Sequence, residues 1–176
     1  MFKSYIPFLY AKSIYEIPPS FFSKTLKVKY VLLDLDNTLD SYKLMTPTDR
    51  AKEYITSLLK EGITPIIVSN NRGKRVKSYA EALGLTYIPK ACKPFAFKIN
   101  KFISLNNISN SDIIFIGDQM MTDVKACHRA RIRIILTEKI VKEDQWTTRI
   151  NRLIGRIIRH YHKRKGNLKN WREYHG

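Results

Sequence analysis

The chain has 176 residues, a mass of 20.6 kDa, 44% hydrophobic and 11% aromatic content, enough to bury a core in one domain with short appendages and too apolar for a disordered chain. No apolar run reaches the roughly 18 residues of a membrane span, no signal peptide is evident, and Cys92 and Cys127 are too few for a disulfide scaffold or zinc ribbon, so a reduced cytoplasmic setting is expected. The net charge of +17, from 32 Lys and Arg against 15 Asp and Glu, exceeds what solubility needs and suits a polyanion: nucleic acid, an anionic membrane surface or a phosphorylated substrate.

Residues 1–28 read as a lead-in of aromatic and basic residues, broken at Pro18-Pro19 and resuming its apolar character at Phe21-Phe22. Tyr30 to Leu35 is an apolar run ending in carboxylates, as expected of a strand buried on both faces. A helix follows over Thr48–Leu59 with Gly62 past its end, then a strand over Ile63–Val68 and a helix over Lys74–Leu83 closed by Gly84. Further on come a strand at Leu85–Ile88, a helix at Phe95–Leu105, a strand at Asp112–Ile116, a helix at Val124–Arg129 and a strand at Ile132–Leu136. The alternation predicts an α/β fold: an open, Rossmann-like parallel sheet with helices on both faces, over residues 29–144.

Residues 145–176 carry nine basic residues and one acidic residue, a net +8, whereas residues 34–144 carry only +5. Trp146, Ile150, Leu153, Ile154, Ile157, Ile158 and Tyr161 recur at helical spacing, with arginines on the remaining surface and Trp171 and Tyr174 in a basic tail. The stripe either closes the domain by packing on the sheet or contacts a membrane or partner.

Chemistry is expected where strands end. Asp34 and Asp36, in Asp34-Leu35-Asp36-Asn37-Thr38, point the same way along an extended segment; Ser69-Asn70-Asn71, Lys93 and Gly117-Asp118 follow later strands. Clustered carboxylates repel unless a cation intervenes, and hard oxygen donors with a phosphate suit Mg²⁺. One aspartate can then attack phosphorus, a second can serve as acid and base, and a lysine and a hydroxyl can orient the phosphoryl oxygens. Singly, each group has a blander reading: a turn aspartate, a capping serine, a solvated lysine.

Taken in order, Asp34-x-Asp36-x-Thr38, Ser69, Lys93-Pro94 and Gly117-Asp118-x₄-Asp123 resemble the four motifs of the haloacid dehalogenase superfamily, over about residues 29–136. The strings Val68-Ser69-Asn70-Asn71, Arg75-Val76, Lys90-Ala91-Cys92-Lys93-Pro94 and Tyr10-x-x-Ser13-Ile14-Tyr15-Glu16-Ile17 are similar to the YqeG branch of subclass III phosphatases, related to phosphatidylglycerophosphate phosphatases. The resemblance implies Asp34 as nucleophile and Asp36 as acid/base. It implies Asp34, the Asp36 carbonyl and Asp118 around Mg²⁺, with Asp123 supporting the metal from behind. Ser69 would bind the phosphoryl group with Asn70 as a further donor, and Lys93 would stabilise the nucleophile and the developing charge. Cys127-His128 stands where the branch reads Gly-Asn, and no role is carried to that pair; Cys92 and Cys127 read as packing.

The connections are too short for a cap domain, which leaves an open site. The implied function is a Mg²⁺-dependent phosphomonoesterase acting through an aspartyl-phosphate on phosphatidylglycerophosphate, peripheral on the inner membrane face. A soluble sugar phosphate or nucleotide is the alternative substrate. The alternative of another class is a nucleic-acid- or ribosome-binding protein with a vestigial site, using Tyr161, Trp171 and Tyr174 to stack on bases.

Overall fold

A computed structural model describes residues 2–71, 73–141 and 149–176, with side chains in the last helix from Leu153 onward. The expected stripe residues Trp146 and Ile150 fall outside the described side chains. The strands are β1 (Leu9–Tyr10), β2 (Tyr30–Asp34), β3 (Thr64–Val68), β4 (Tyr87–Ile88), β5 (Ile113–Gly117) and β6 (Arg133–Leu136). The helices are α1 (Asp49–Lys60), α2 (Lys74–Ala82), α3 (Phe97–Leu105), α4 (Lys125–Ala130) and α5 (Arg149–Arg164). The six strands form one sheet in the order β1-β6-β5-β2-β3-β4, with every pairing parallel.

The apolar runs are continuous because both faces of the sheet are covered. Along β2, Val31 and Leu33 join one core cluster with α1 and α2, while Leu32 joins the other with α3 and α4. Helix α1 starts where the Thr48 hydroxyl accepts the Ala51 N–H at 3.2 Å, and it stops at Gly62, whose φ of +74° favours a residue without Cβ. Residues 35–48 join β2 to α1 without an inserted domain.

The N-terminal segment departs from the expected lead-in, because it supplies a sheet strand. Phe8 N–H donates to the Ile134 carbonyl and Ala11 N–H to that of Leu136, both at 3.0 Å, which sets β1 beside β6. Leu9, Ile14, Ile17 and Phe22 are buried. A strand of two residues, flanked by turns, leaves no periodicity to read.

The basic tail closes over the same edge. Tyr10 N–H donates to the Lys169 carbonyl at 2.8 Å, Trp171 packs on Phe21 at 5.3 Å between ring centroids, and Tyr174 packs on Phe8 at 5.1 Å. Arg172 pairs with Glu16 at 2.8 Å. The rings of Trp171 and Tyr174 are thus committed to the protein's own core rather than presented for stacking on bases.

Helix α5 sits on the domain through Ile158, at one edge of its apolar stripe, and through small and polar side chains beside it. Gly155 lies against Met120 and Met121, Ile158 and His162 are buried, and an Arg159 Nη2 donates to the carbonyls of Asp118 and Thr137, each at 2.9 Å. The helix is therefore pinned to the C-terminal ends of β5 and β6. Among the described residues, no helix is long and apolar enough to cross a membrane.

Candidate active site

From β2 the chain proceeds to β3 and β4 on one side, whereas β5, β6 and β1 lie on the other. That reversal between β2 and β5 is the switch point where open parallel sheets hold ligands. The register Asp34↔Val68 and Leu33↔Ile116 brings Asp34, Ser69 and Asp118 out at one edge.

Lys93 arrives there on the loop after β4. Its Nζ lies 2.5 Å from Asp34 Oδ1 and 2.8 Å from Asp123 Oδ1, donates to the Val68 carbonyl at 3.3 Å, and stands 5.2 Å from the centre of the Phe115 ring. All three charged side chains are nearly inaccessible to solvent. Burial pulls the Lys93 pKa down, but Asp123 and Asp34 outweigh it, and the ammonium stays charged well beyond its ordinary range. Burial also raises the Asp34 pKa well above the usual carboxylate range, reinforced by repulsion from Asp123, Asp118 and Asp36 and opposed by Lys93.

Asp123 is fully buried, and its Oδ2 accepts the Gln119 N–H at 3.0 Å. It reaches this place only because residue 117 is glycine: a Cβ there would stand 2.5 Å from Asp123 Oδ2 and 2.9 Å from its Cβ. The sequence Gly117-Asp118 therefore sets backbone and carboxylate in contact.

Asp36 is held differently. Its Oδ1 lies 2.5 Å from Arg75 Nη1, and its Oδ2 accepts from Asn71 Nδ2 at 2.7 Å. Arg75 also donates from Nε to the Leu44 carbonyl at 2.6 Å and from Nη2 to the Ser41 carbonyl at 3.1 Å, so one guanidinium ties the carboxylate to the loop beyond it. Asp40 braces that loop, accepting the Thr48 N–H at 2.9 Å and the Tyr79 hydroxyl at 2.5 Å.

Ser69 is buried, and its Oγ accepts the Asn71 N–H at 3.1 Å. Asn70 spends its amide on the Lys93 backbone, accepting the N–H at 2.8 Å and donating to the carbonyl at 2.9 Å. These two bonds position Lys93 and use one of the two hydrogens on Asn70 Nδ2. Asn71 and Arg75 carried no role in the sequence reading, since only the fold brings them to Asp36. Arg159, from the far end of the chain, carried none either. Cys127 is buried and its thiol is pushed well up by burial; Cys92 Sγ donates to the Lys90 carbonyl at 3.1 Å; His128 is exposed and bonds the Ile6 carbonyl through Nε2 at 2.8 Å.

Asp34, Asp118 and Asp123 each offer an oxygen, all within 4.8 Å of one another. Asp34 Oδ2 is buried with no hydrogen-bond partner among the described residues. An unsatisfied buried carboxylate oxygen beside other carboxylates is an unfavourable arrangement without a cation. Asp34, Asp118 and Asp123 crowd three carboxylates into one buried cluster in which Lys93 bridges Asp34 and Asp123, and a divalent cation relieves the repulsion among them. Hard oxygen donors of this kind fit Mg²⁺.

The haloacid dehalogenase-like hydrolase family is matched over residues 10–137. The chain is 36% identical over 171 residues to Probable phosphatase YqeG of Bacillus subtilis (strain 168), covering 97% of this chain and 98% of that one. Among solved structures it resembles the 3-deoxy-D-manno-octulosonate 8-phosphate phosphatase of Moraxella catarrhalis, in complex with magnesium, phosphate and the sugar acid, with a TM-score of 0.52 and 18% identity over 68% of this chain and 82% of that one. The cobalt-bound deoxy-D-mannose-octulosonate 8-phosphate phosphatase of Haemophilus influenzae gives a TM-score of 0.51 and 14% identity, over 66% of this chain and 81% of that one. The sheet, the buried acid cluster and these matches agree: the chain belongs to the haloacid dehalogenase-like hydrolase family, as a phosphatase of that family whose acid cluster fits Mg²⁺.

Proposed function

We propose that the protein hydrolyses a lipid phosphomonoester, phosphatidylglycerophosphate by its resemblance, through an aspartyl-phosphate on Asp34. The observation that carries the lipid class is the rim of the site. Leu44 and Met45 after β2, Phe95 after β4, Phe97 at the start of α3 and Ile140 after β6 are all exposed at or just beyond the loops leaving the C-terminal ends of the strands. Large apolar side chains around an open mouth suit acyl chains and suit a hydrated sugar phosphate poorly.

In the first step the Asp34 carboxylate attacks phosphorus and the bond to the leaving oxygen breaks, with Asp36 giving that oxygen its proton. In the second, Asp36 takes a proton from water, which displaces phosphate and restores Asp34. Lys93 holds Asp34 Oδ1 and faces the charge that develops, and the Ser69 hydroxyl orients the phosphoryl oxygens. Asp34, the Asp36 carbonyl and Asp118 would hold Mg²⁺, with Asp123 behind them; the metal supplies charge neutralisation at the phosphoryl oxygens.

Phosphate release from phosphatidylglycerophosphate in mixed micelles with Mg²⁺, compared with Asp34→Asn, tests both parts. Release abolished in the variant and by EDTA supports the reading. Wild-type turnover of an aryl phosphate but not of the lipid redirects the substrate to a soluble phosphomonoester, and inactivity on both refutes the mechanism.

A further inference from the structure

Helix α5 is anchored to the domain through Gly155, Ile158, Arg159 and His162. Its opposite face is open apart from Tyr161, whose ring packs edge-on against Phe2 at 5.5 Å between centroids. Leu153, Ile154, Ile157 and Tyr161 are 54%, 40%, 62% and 40% exposed, and at 3.6 residues per turn they fall within a wedge of about 100°. Arg156, His160 and Lys163 flank that wedge, Arg164 and Lys165 close its C-terminal end, all are exposed, and residues 153–165 contain no acid.

We infer that this face of α5 docks on an anionic bilayer, with Leu153, Ile154 and Ile157 entering the headgroup boundary and the flanking cations contacting lipid phosphates. The charge pattern selects the occupant. A second copy packed on this stripe would set Arg156, Lys163 and Arg164 against their own counterparts with no acid to pair them, whereas an anionic leaflet supplies both an apolar interior and negative headgroups. A nucleic acid would satisfy the cations and leave three aliphatic side chains without an apolar partner. Because Arg159 joins the helix to the carbonyls of Asp118 and Thr137, docking through α5 holds the membrane beside the C-terminal ends of β5 and β6, the edge on which the site opens. The inference goes beyond the proposed substrate, since it is read by binding and requires no turnover.

The test uses the full chain with sedimenting vesicles of phosphatidylcholine alone and of phosphatidylcholine mixed with phosphatidylglycerol. The wild type is expected to bind the mixed vesicles at least about tenfold more tightly, with the difference shrinking as salt is added. Leu153→Ser and Ile157→Ser are each expected to weaken that binding on the order of tenfold. Both side chains are exposed, so aryl phosphate hydrolysis and circular dichroism should be unchanged and report that the variants fold. Equal sedimentation of the wild type and the double variant overturns the inference, as does failure of the wild type to bind mixed vesicles. A concentration-dependent dimer lost in the double variant also overturns it, by assigning the stripe to a second copy.

Discussion

Replacing Arg75 with Met removes the guanidinium that places Asp36 while keeping the length of the side chain. The two side chains are 13% and 17% exposed, so solvent screens their contact only partly. A hydrogen bond to a charged group contributes about 1.5–3 kcal/mol and a neutral one about 1 kcal/mol. Losing the bond to Asp36 and those to the Leu44 and Ser41 carbonyls therefore costs about 3–5 kcal/mol of stability. That is within the roughly 5–15 kcal/mol a domain has, so the variant still folds at room temperature.

Catalysis should suffer separately. Asn71 still holds Asp36 Oδ2, so the acid is misplaced rather than absent. Of the about 10²–10⁴-fold that a positioned acid or base contributes, a loss of about 10²-fold in kcat is expected on an alkyl phosphate, whose leaving oxygen needs the proton. The pre-steady-state burst of nitrophenolate from nitrophenyl phosphate should barely change, because that leaving group departs as an anion. Arg75→Lys restores the charge without the fork and should recover only part of the rate. Urea melts read the stability, and stopped-flow and steady-state kinetics read the rates. If Arg75→Met loses stability yet keeps its alkyl phosphate kcat within about threefold, Arg75 only braces the loop and the positioning argument fails.

Other perturbations give equally definite expectations. Gly117→Ala forces its Cβ onto Asp123, so it should cost about 1–3 kcal/mol in thermal melts and abolish measurable phosphatase activity; an active variant of native stability would refute the close contact. Mg²⁺ should raise Tm relative to EDTA, and the difference should grow with pH: Asp34 has a raised folded pKa, so the metal-free protein loses stability as pH climbs from the unfolded value near ~3.9, and ionised Asp34 is what binds the metal. Equal melting in both buffers would sink the cluster as a metal site. His162, whose pKa is lowered by burial despite its bond to the Phe2 carbonyl, takes up protons more readily when unfolded, so stability should fall as pH drops through about 6.5 and His162→Gln should flatten that slope in calorimetry.

Much of the site was legible because its residues sit at the ends of apolar runs, where Asp34, Ser69 and Asp118 are fixed by sheet register alone. The resemblance already set Lys93 beside the nucleophile Asp34, but that Asp123 meets the same ammonium depends on the loop after β4 returning over Phe115. Asn70 reads as a phosphate donor from its place beside Ser69, whereas its two bonds to the Lys93 backbone depend on the fold. Arg75 lies 39 residues from Asp36, one of three basic residues in α2, and although Arg75-Val76 is part of the resemblance, only the fold brings it to Asp36. In the fold, β1 was hidden because two residues carry no period, and the stripe of α5 left its seating open between the sheet and an outside partner: Ile158 packs on the domain, whereas Leu153, Ile154 and Ile157 stay exposed. Small or polar side chains, Gly155, Arg159 and His162, do much of the docking instead.

The distribution of charge separates two opposing needs. A site that holds Mg²⁺ requires an excess of carboxylates, but its substrate is an anion that the same carboxylates repel. Here the acids of the cluster, Asp34, Asp118 and Asp123, are buried and local, whereas about half of the chain's +17 is a net +8 over residues 145–176, where Arg156, Lys163, Arg164 and Lys165 are exposed. At distances beyond the site the approaching phosphate senses the cationic field, and only on contact does it meet the acids with their cation. Raising salt from low to physiological strength shortens the screening length from about 30 to about 8 Å, which removes the distant attraction but leaves buried pairs such as Lys93 and Asp34 nearly untouched. KM for a soluble aryl phosphate should therefore rise with salt while kcat stays level, and glutamines at Arg156, Lys163 and Arg164 should flatten the dependence of KM. A kcat that falls in step with rising salt would mean that the exposed charge acts on the chemistry itself, and the separation argued here would be wrong.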